Sequence, residues 1–251
     1  MRPSGISILS LFAVYVILFP ACEKAPSDVK LVNKEFLLSR ILKDGKIYQE
    51  YIYNDNKKLI RVNHYYDDSV YHFEAYNYNS EGKAVMKKYS DDYYETYEYD
   101  EYGRYIRLNI HGSDSQVYQI NEYTYNSVGQ IETGVVNYRD MDIRDITYTY
   151  DSRGNVLTRI EGEDEESQFT LVTSEYEYDN KNNPRYNWKL PTDIIQYNNP
   201  LRYIHQNALS CMMPPDYEYQ YEYNSDGYPV KEIRNWFNTE VYDTFYYEYL
   251  K

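Results

Sequence analysis

Along this chain, tyrosines two residues apart are followed by a short polar run and then by another apolar stretch. The pattern reads "YIYNDNKKLI" from Tyr51, "YEYDEYGRYI" from Tyr97, "YTYDSRGNVL" from Tyr148 and "YEYNSDGYPV" from Tyr221. Alternation with period two predicts strands, because successive side chains of an extended chain point to opposite faces. Seven copies start at Tyr51, Tyr76, Tyr97, Tyr123, Tyr148, Tyr176 and Tyr221, at intervals of 25, 21, 26, 25, 28 and 45 residues. A period in the twenties signals an array of supersecondary units.

Each Tyr-x-Tyr is followed by Asp or Asn, two variable residues and usually glycine: Gly82, Gly103, Gly129, Gly154 and Gly227. This spacing predicts a three-residue hairpin loop closed by a residue in the left-handed region, where glycine avoids the Cβ clash. Asn182 holds that position in the sixth copy and tolerates the conformation, whereas Lys57 in the first is a departure.

The loop length sets the pairing. It predicts Tyr53 opposite Leu59, Tyr78 opposite Ala84, Tyr99 opposite Tyr105, Tyr125 opposite Ile131, Tyr150 opposite Val156 and Tyr223 opposite Pro229. The second tyrosines then build one aromatic face, while Asn77, Glu98, Thr124, Thr149 and Glu222 form a wetter one, and the tyrosines are mainly structural. An Asp44-Gly45 turn signal adds an N-terminal hairpin. The expected fold is all-β: an antiparallel meander of roughly 14 to 16 strands made from tandem hairpins and curled into an open or closed barrel. Strand number and length suit an outer-membrane pore. Such a pore needs an uncharged lipid-facing band, and the reading places Glu98 and Glu222 on one face and Arg61, Arg107 and Lys231 on the other. The sheet is therefore expected to stand in water.

Composition sharpens this picture. Tyrosine supplies 36 of 251 residues, a strand-favouring content unsuited to disorder. With 26 basic against 40 acidic residues the net charge is -14, and no Lys/Arg-rich run is present, which argues against a nucleic-acid partner. Ahead of the repeats, residues 6–19 form an apolar run too short to span a bilayer as a helix, and "FPAC" at 19–22 resembles a lipobox. Residues 1–21 read as a lipoprotein signal, Cys22 as the lipidated residue, 22–31 as a tether and 32–251 as the β domain. The only other cysteine is Cys211, in an apolar context, so an acylated Cys22 leaves no intramolecular disulfide.

The Tyr-rich motif resembles the YD repeats of rearrangement-hotspot proteins. The signal with its acid-rich mature chain is similar to small Bacteroidetes lipoproteins of unknown function with a porin-like fold. The resemblance covers roughly residues 48–251 and implies a curled sheet and a cell-envelope, outer-membrane location, facing the periplasm or the surface. It implies no activity, and a "DPxGL"-like release motif of toxin shells is missing.

The 45-residue interval contains an apolar, proline-punctuated insertion, residues 183–215. Asn199-Pro200 can open a helix, after which Leu201, Ile204, Ala208 and Leu209 recur at helical spacing, so a partly helical plug is expected to pack its stripe against the tyrosine face. Trp188 is expected near the mouth of the barrel, where Trp188, Tyr197 and Tyr203 would wall a binding cleft. A glycan is the first expected ligand and an apolar molecule the second. The remaining turns, among them "DDS" from Asp67, "SDD" from Ser90, "GSD" from Gly112, "RDMD" from Arg139 and "EGEDEE" from Glu161, place carboxylates on the opposite rim. They lack calcium-loop spacing and read as a solvated edge.

No catalytic signature is evident. His64, His72, His111 and His205 are scattered, and neither H-E-x-x-H, G-x-S-x-G nor a phosphate-binding glycine loop occurs. No catalytic residue, metal ligand or cofactor is therefore assigned. The sequence supports a non-catalytic envelope lipoprotein, held to the membrane by its lipid alone, whose β scaffold binds an extracytoplasmic partner. The competing readings are a carbohydrate-active enzyme with carboxylates in an aromatic cleft and a purely structural envelope protein.

Overall fold

The computed structural model of the chain describes residues 36–139, 143–162, 172–188, 190–192, 194, 196–207, 216–236 and 242–250. The expected signal segment, Cys22, Ala208, Leu209 and Cys211 lie outside these residues. The order of elements is β1 (Leu38–Lys43), β2 (Lys46–Tyr53), β3 (Leu59–Tyr66), β4 (Ser69–Tyr78), β5 (Ala84–Tyr89), β6 (Tyr94–Tyr99), β7 (Tyr105–His111) and β8 (Val117–Tyr125). There follow β9 (Ile131–Tyr138), β10 (Ile143–Tyr150), β11 (Val156–Gly162), β12 (Val172–Tyr178), a 3-10 turn (Tyr186–Trp188), β13 (Pro200–Asn207), β14 (Tyr217–Tyr223), β15 (Pro229–Trp236) and β16 (Tyr242–Tyr249). Every strand pairs antiparallel with its sequence neighbour, and β1 pairs with β16 to close the barrel, so no edge is left open.

All six expected tyrosine pairs occur in the ladder. The loops also show why Asp or Asn follows each tyrosine pair. The Asp151 carboxylate accepts the backbone N–H groups of Arg153 at 2.8 Å and Asn155 at 2.9 Å, while the Gly154 N–H donates to the Asp151 carbonyl at 3.0 Å. The side chain thus satisfies donors that the turn leaves unpaired. Gly154 has φ +91 and a Cβ there would lie 3.0 Å from the Tyr197 ring, so the position is closed to larger residues by conformation and by space. Lys57 adopts the same conformation with φ 59 and fits the repeat after all.

One expectation about faces is reversed. In each of these hairpins the register shifts by one residue just before the second tyrosine, as between Glu98 and Tyr99, where the partner steps from Arg107 to Tyr105. The bulge inverts the alternation on the returning strand. Arg107 and Lys231 consequently share the outer face with Glu98 and Glu222, as direct cross-strand partners, rather than lying on the other side. The outer wall carries Arg107–Glu122 at 3.3 Å and Lys231–Glu222 at 2.7 Å, with the hydroxyls of Thr149 and Thr158 bonded at 2.7 Å. Such a wall is unlike a lipid-facing band.

The insertion differs more. Residues 200–207 form strand β13, paired with β12 from Val172 to Tyr178, and not a helix. Asn199 explains why: its N–H and side-chain amide donate to the Asp179 carboxylate at 3.1 Å each, and its carbonyl accepts the Asp179 N–H at 3.0 Å. Asn155 makes the same three bonds to Asp151. The sixth copy is thus an ordinary hairpin with extra residues spliced into its loop, and Asn182, freed from closing the turn, is not among the positive-φ residues. Leu201 is 37 % exposed at the bulge and Ile204 falls on the same face as Glu175, so neither packs on the inner tyrosines.

Candidate functional site

The inner wall is built in tiers that follow from the repeat. At the rim formed by the Asp-x-x-Gly loops stand the second tyrosines, whose hydroxyls donate to the carbonyl of the neighbouring hairpin: Tyr53 to Leu38 at 2.8 Å, Tyr78 to Leu59 at 2.6 Å, Tyr99 to Ala84 at 2.6 Å, Tyr150 to Ile131 at 2.8 Å, and Tyr249 to Pro229 at 2.7 Å. Burial holds the phenols of Tyr78 and Tyr99 up at about 12, so they remain neutral donors. One tier deeper lie the first tyrosines, among them Tyr51, Tyr76, Tyr97, Tyr123, Tyr148 and Tyr176, all buried. Their hydroxyls serve a third, polar tier two residues earlier on the same strand: Tyr51 donates to Gln49 at 2.7 Å, Tyr76 to Glu74 at 2.6 Å, and Tyr97 to Glu95.

The sequence reading gathered carboxylates on exposed turns and set them in an aromatic cleft only in its competing enzyme reading, naming no residue there. Inside the barrel Lys87 lies 3.2 Å from Glu74 and 3.7 Å from Glu95, and Glu161 receives Arg159 at 2.9 Å and Arg144 at 3.3 Å. Glu232 receives Arg234 at 2.8 Å and the hydroxyl of Tyr247. For Glu74, burial works to raise the carboxyl, but the hydrogen bond from His64, the charge of Lys87 and the Tyr76 hydroxyl outweigh it and bring it down to about 2. Each of these carboxylates has cationic or hydroxyl partners.

The spliced segment runs from Asp179 into the lumen. Trp188 packs on Tyr51 with ring centroids 5.0 Å apart, and its indole N–H donates to the Tyr53 hydroxyl at 3.1 Å. Leu190 packs with Leu38, Leu59 and their neighbours, and Ile194 packs on the cluster around Ile131 and Ile146. The part of the insertion that packs inside the barrel is thus the stretch of Trp188, Leu190 and Ile194, and the expected partly helical plug built on Leu201 and Ile204 is not found among the described residues. Arg185 hangs inside the lumen, enclosed by protein yet facing open space. Burial works against its charge, and the Tyr51 and Tyr247 hydroxyl ends together with Glu232 outweigh that and hold its pKa above the ordinary value.

The segment forms a wall of two cavities. One, of about 530 Å³, is lined by Tyr99, Tyr105, Tyr125, Trp188, Leu190 and Tyr197; the other, of about 250 Å³, by Tyr176, Tyr203, Tyr219, Tyr221 and Glu232. Arg185, Asn183 and Gln196 border both. Of the three residues expected to wall a cleft, Trp188 and Tyr197 share the larger cavity, while Tyr203 lines the smaller. Trp188 is half-buried against the second tier rather than standing free at the mouth. Arg185 was not singled out in the sequence, where one arginine after a proline carries no signal; only the fold brings it into an aromatic lumen.

The structure also gathers residues that the linear scan left scattered. His64 and His72 are direct cross-strand partners on β3 and β4, and Glu74 follows His72 on the same face. One ligand atom from each lies within 4.8 Å of the other two. The signal was available as H-x-E on a strand with a second histidine across its hairpin.

No protein-family model matches the chain, and no curated protein matches it. Among solved structures the chain is similar to a porin-like protein from Bacteroides vulgatus, with 13% identity and a TM-score of 0.53 over 85% of this chain and 99% of that one. It is similar to a porin-like protein from Bacteroides uniformis, with 13% identity and a TM-score of 0.51 over 85% of this chain and 96% of that one. A superposition on the TcdB2-TccC3 structure has 15% identity and a TM-score of 0.37, covers 81% of this chain and 14% of that one, and carries no argument. At these identities the likeness establishes the barrel fold.

Proposed function

We propose that the chain is a non-catalytic lipoprotein of the cell envelope, anchored through Cys22, whose barrel binds an extracytoplasmic ligand in the cavity beside the spliced segment. The observation that carries this reading is the cavity wall: Tyr99, Tyr105, Tyr125, Trp188 and Tyr197 supply flat aromatic faces, and Arg185 and Gln196 supply donors among them. A volume of about 530 Å³ falls in the range of small-molecule sites, roughly 300–1,000 Å³. Ring faces with a few polar groups suit a sugar, which presents C–H faces and hydroxyl edges, and a glycan of one or two residues is the ligand class put forward. The envelope location draws on the lipobox at Cys22 and on the porin-like description of the proteins with a similar fold.

The non-catalytic part rests on the inner carboxylates. Glycoside hydrolysis needs one carboxyl kept protonated as an acid, hence a raised pKa. Glu74 is displaced the opposite way, and Glu161 and Glu232 are neutralised by arginines.

The test is a glycan and lipid binding screen on the purified full chain, repeated with Tyr197→Ala. Tyr197 is partly exposed and its ring packs on Tyr186 at 4.5 Å, so its loss spares the barrel wall. Binding of a glycan that Tyr197→Ala abolishes at an unchanged melting temperature is the expected result. A ligand that binds equally to the variant sits elsewhere, and failure of every glycan and lipid leaves the cavity without this role.

A further inference from the structure

We propose that His64, His72 and Glu74 form a binding site for one divalent transition metal ion, with zinc the ion the ligand set favours. The site is separate from the cavity above. It lies on the inner face toward the opposite rim, near the tight turn at Asp67 and Asp68, whose φ values of 47 and 63 close the β3–β4 hairpin.

Each of the three side chains has one polar atom held by a neighbour outside the cluster, and one ligand atom from each lies within 4.8 Å of the other two. The Nδ1 of His64 is bonded to the Gln49 amide at 3.1 Å, and the Nδ1 of His72 to the Ser90 hydroxyl at 2.9 Å. The other nitrogen of each ring is Nε2; on His64 it is bonded to Glu74 Oε1, a contact that an ion held between the two would replace. On Glu74, Oε2 takes the Tyr76 hydroxyl at 2.6 Å and Lys87 at 3.2 Å, leaving Oε1 facing the His64 Nε2 at 3.1 Å. Partners of this kind on the far atom of each ligand fix ring orientation and tautomer in metal sites. A metal on Nε2 requires the His64 ring proton on Nδ1, so the Gln49 oxygen must turn from the Tyr51 hydroxyl to His64, and the Gln49 amide then donates to the Tyr51 hydroxyl in place of the present bond.

The chemistry of the set is selective. Two imidazoles and one carboxylate are borderline ligands that suit zinc and its neighbours over calcium or magnesium, which take oxygen. Zinc bonds of ~2.1 Å in a tetrahedron put ligand atoms roughly 3.4 Å apart. The present atoms lie within 4.8 Å, so the rings must draw in by roughly an ångström. His64 and His72 are neighbours with ring centroids 5.3 Å apart, and both are half-buried, so solvent can deliver an ion. Three protein ligands leave one position for water or for an atom of a guest in the lumen. Lys87 is the opposing charge, and it makes the site weaker than one with three unencumbered ligands.

The experiment is calorimetric titration of the chelator-treated full chain with zinc chloride, alongside the visible absorption of the cobalt-loaded protein. One ion per chain is expected, with a d–d band that reports histidine coordination. His72→Ala should weaken zinc at least tenfold and remove the band, and Glu74→Gln should do the same where its melting temperature shows it folded. His72 is the deciding position, because its ring makes the Ser90 bond and packs against Tyr71, Tyr89 and His64, none of them part of the inner carboxylate tier. No stoichiometric zinc binding, or His72→Ala with unchanged affinity and band, overturns the proposal. Tyr197→Ala should leave zinc affinity as it is, which separates this test from that of the cavity.

Discussion

Glu161→Gln should lower the stability of the barrel by about 3–5 kcal/mol, whereas Glu222→Gln should cost less than about 1 kcal/mol, although both remove one carboxylate paired with a cation. The difference lies in where the remaining charge is left. Glu161 is 6 % exposed and sits between Arg144 at 3.3 Å, Arg159 at 2.9 Å and the Tyr138 hydroxyl at 3.1 Å, so its loss leaves two guanidinium groups inside the lumen without their shared anion. On the outer wall the Glu222 side chain is 65 % exposed and Lys231 turns to water when released. In a domain of this size each kcal/mol moves the melting temperature by roughly 2–4 °C, so thermal unfolding of the two variants separates them clearly. Added salt should weaken the Glu222 pair and leave the Glu161 penalty largely intact, since buried charges are poorly screened. Equal small losses for the two would mean that the inner tier is solvated and that the arginines do not depend on Glu161.

The interior arrangement also shows which parts of this molecule can be read from its residues. Strand existence, hairpin pairing and loop conformation were legible because they are local: Tyr150 must meet Val156 once Asp151 and Gly154 close the turn between them. The side of the sheet on which a charge falls was not, because one bulge residue per hairpin inverts the alternation, and Arg107 reads identically with or without it. The Leu201, Ile204 spacing fits a helix as well as chance allows. What decides against it is Asn199 completing the Asp179 loop and β12 offering a ladder, both set by residues some twenty positions earlier. For the candidate site, Trp188 and Tyr197 were visible as aromatics in a break of the repeat. Arg185 in its aromatic lumen and the polar tier exist only once sixteen strands close on themselves, whereas the His64–His72 pair belongs to one hairpin and was legible there.

Trp188→Ala should cost about 3 kcal/mol, at the low end for truncating a large aromatic because the ring is half-buried, while Leu201→Ala should cost less than about 1 kcal/mol. Both residues belong to the apolar break in the repeat, and only the structure ranks them. Leu201 is a bulge residue facing solvent, so its methyls leave little cavity behind. Trp188 is the far anchor of the spliced segment: it departs from β12, and its indole stacks on Tyr51 of β2 while donating to Tyr53, which in turn donates to the Leu38 carbonyl of β1. The segment thereby ties strands that are distant around the barrel wall, where each strand pairs in the ladder only with its two neighbours. Trp188→Phe should recover most of the loss, keeping a ring against Tyr51 and forfeiting only the bond to Tyr53, worth about 1 kcal/mol. The chain has two tryptophans, so Trp236 remains to report unfolding by fluorescence in both Trp188 variants. A larger loss for Leu201→Ala than for Trp188→Ala would place the packed stripe on residues 201–207 after all, and the segment ahead of Asn199 would then be a surface loop with no hold on the opposite wall.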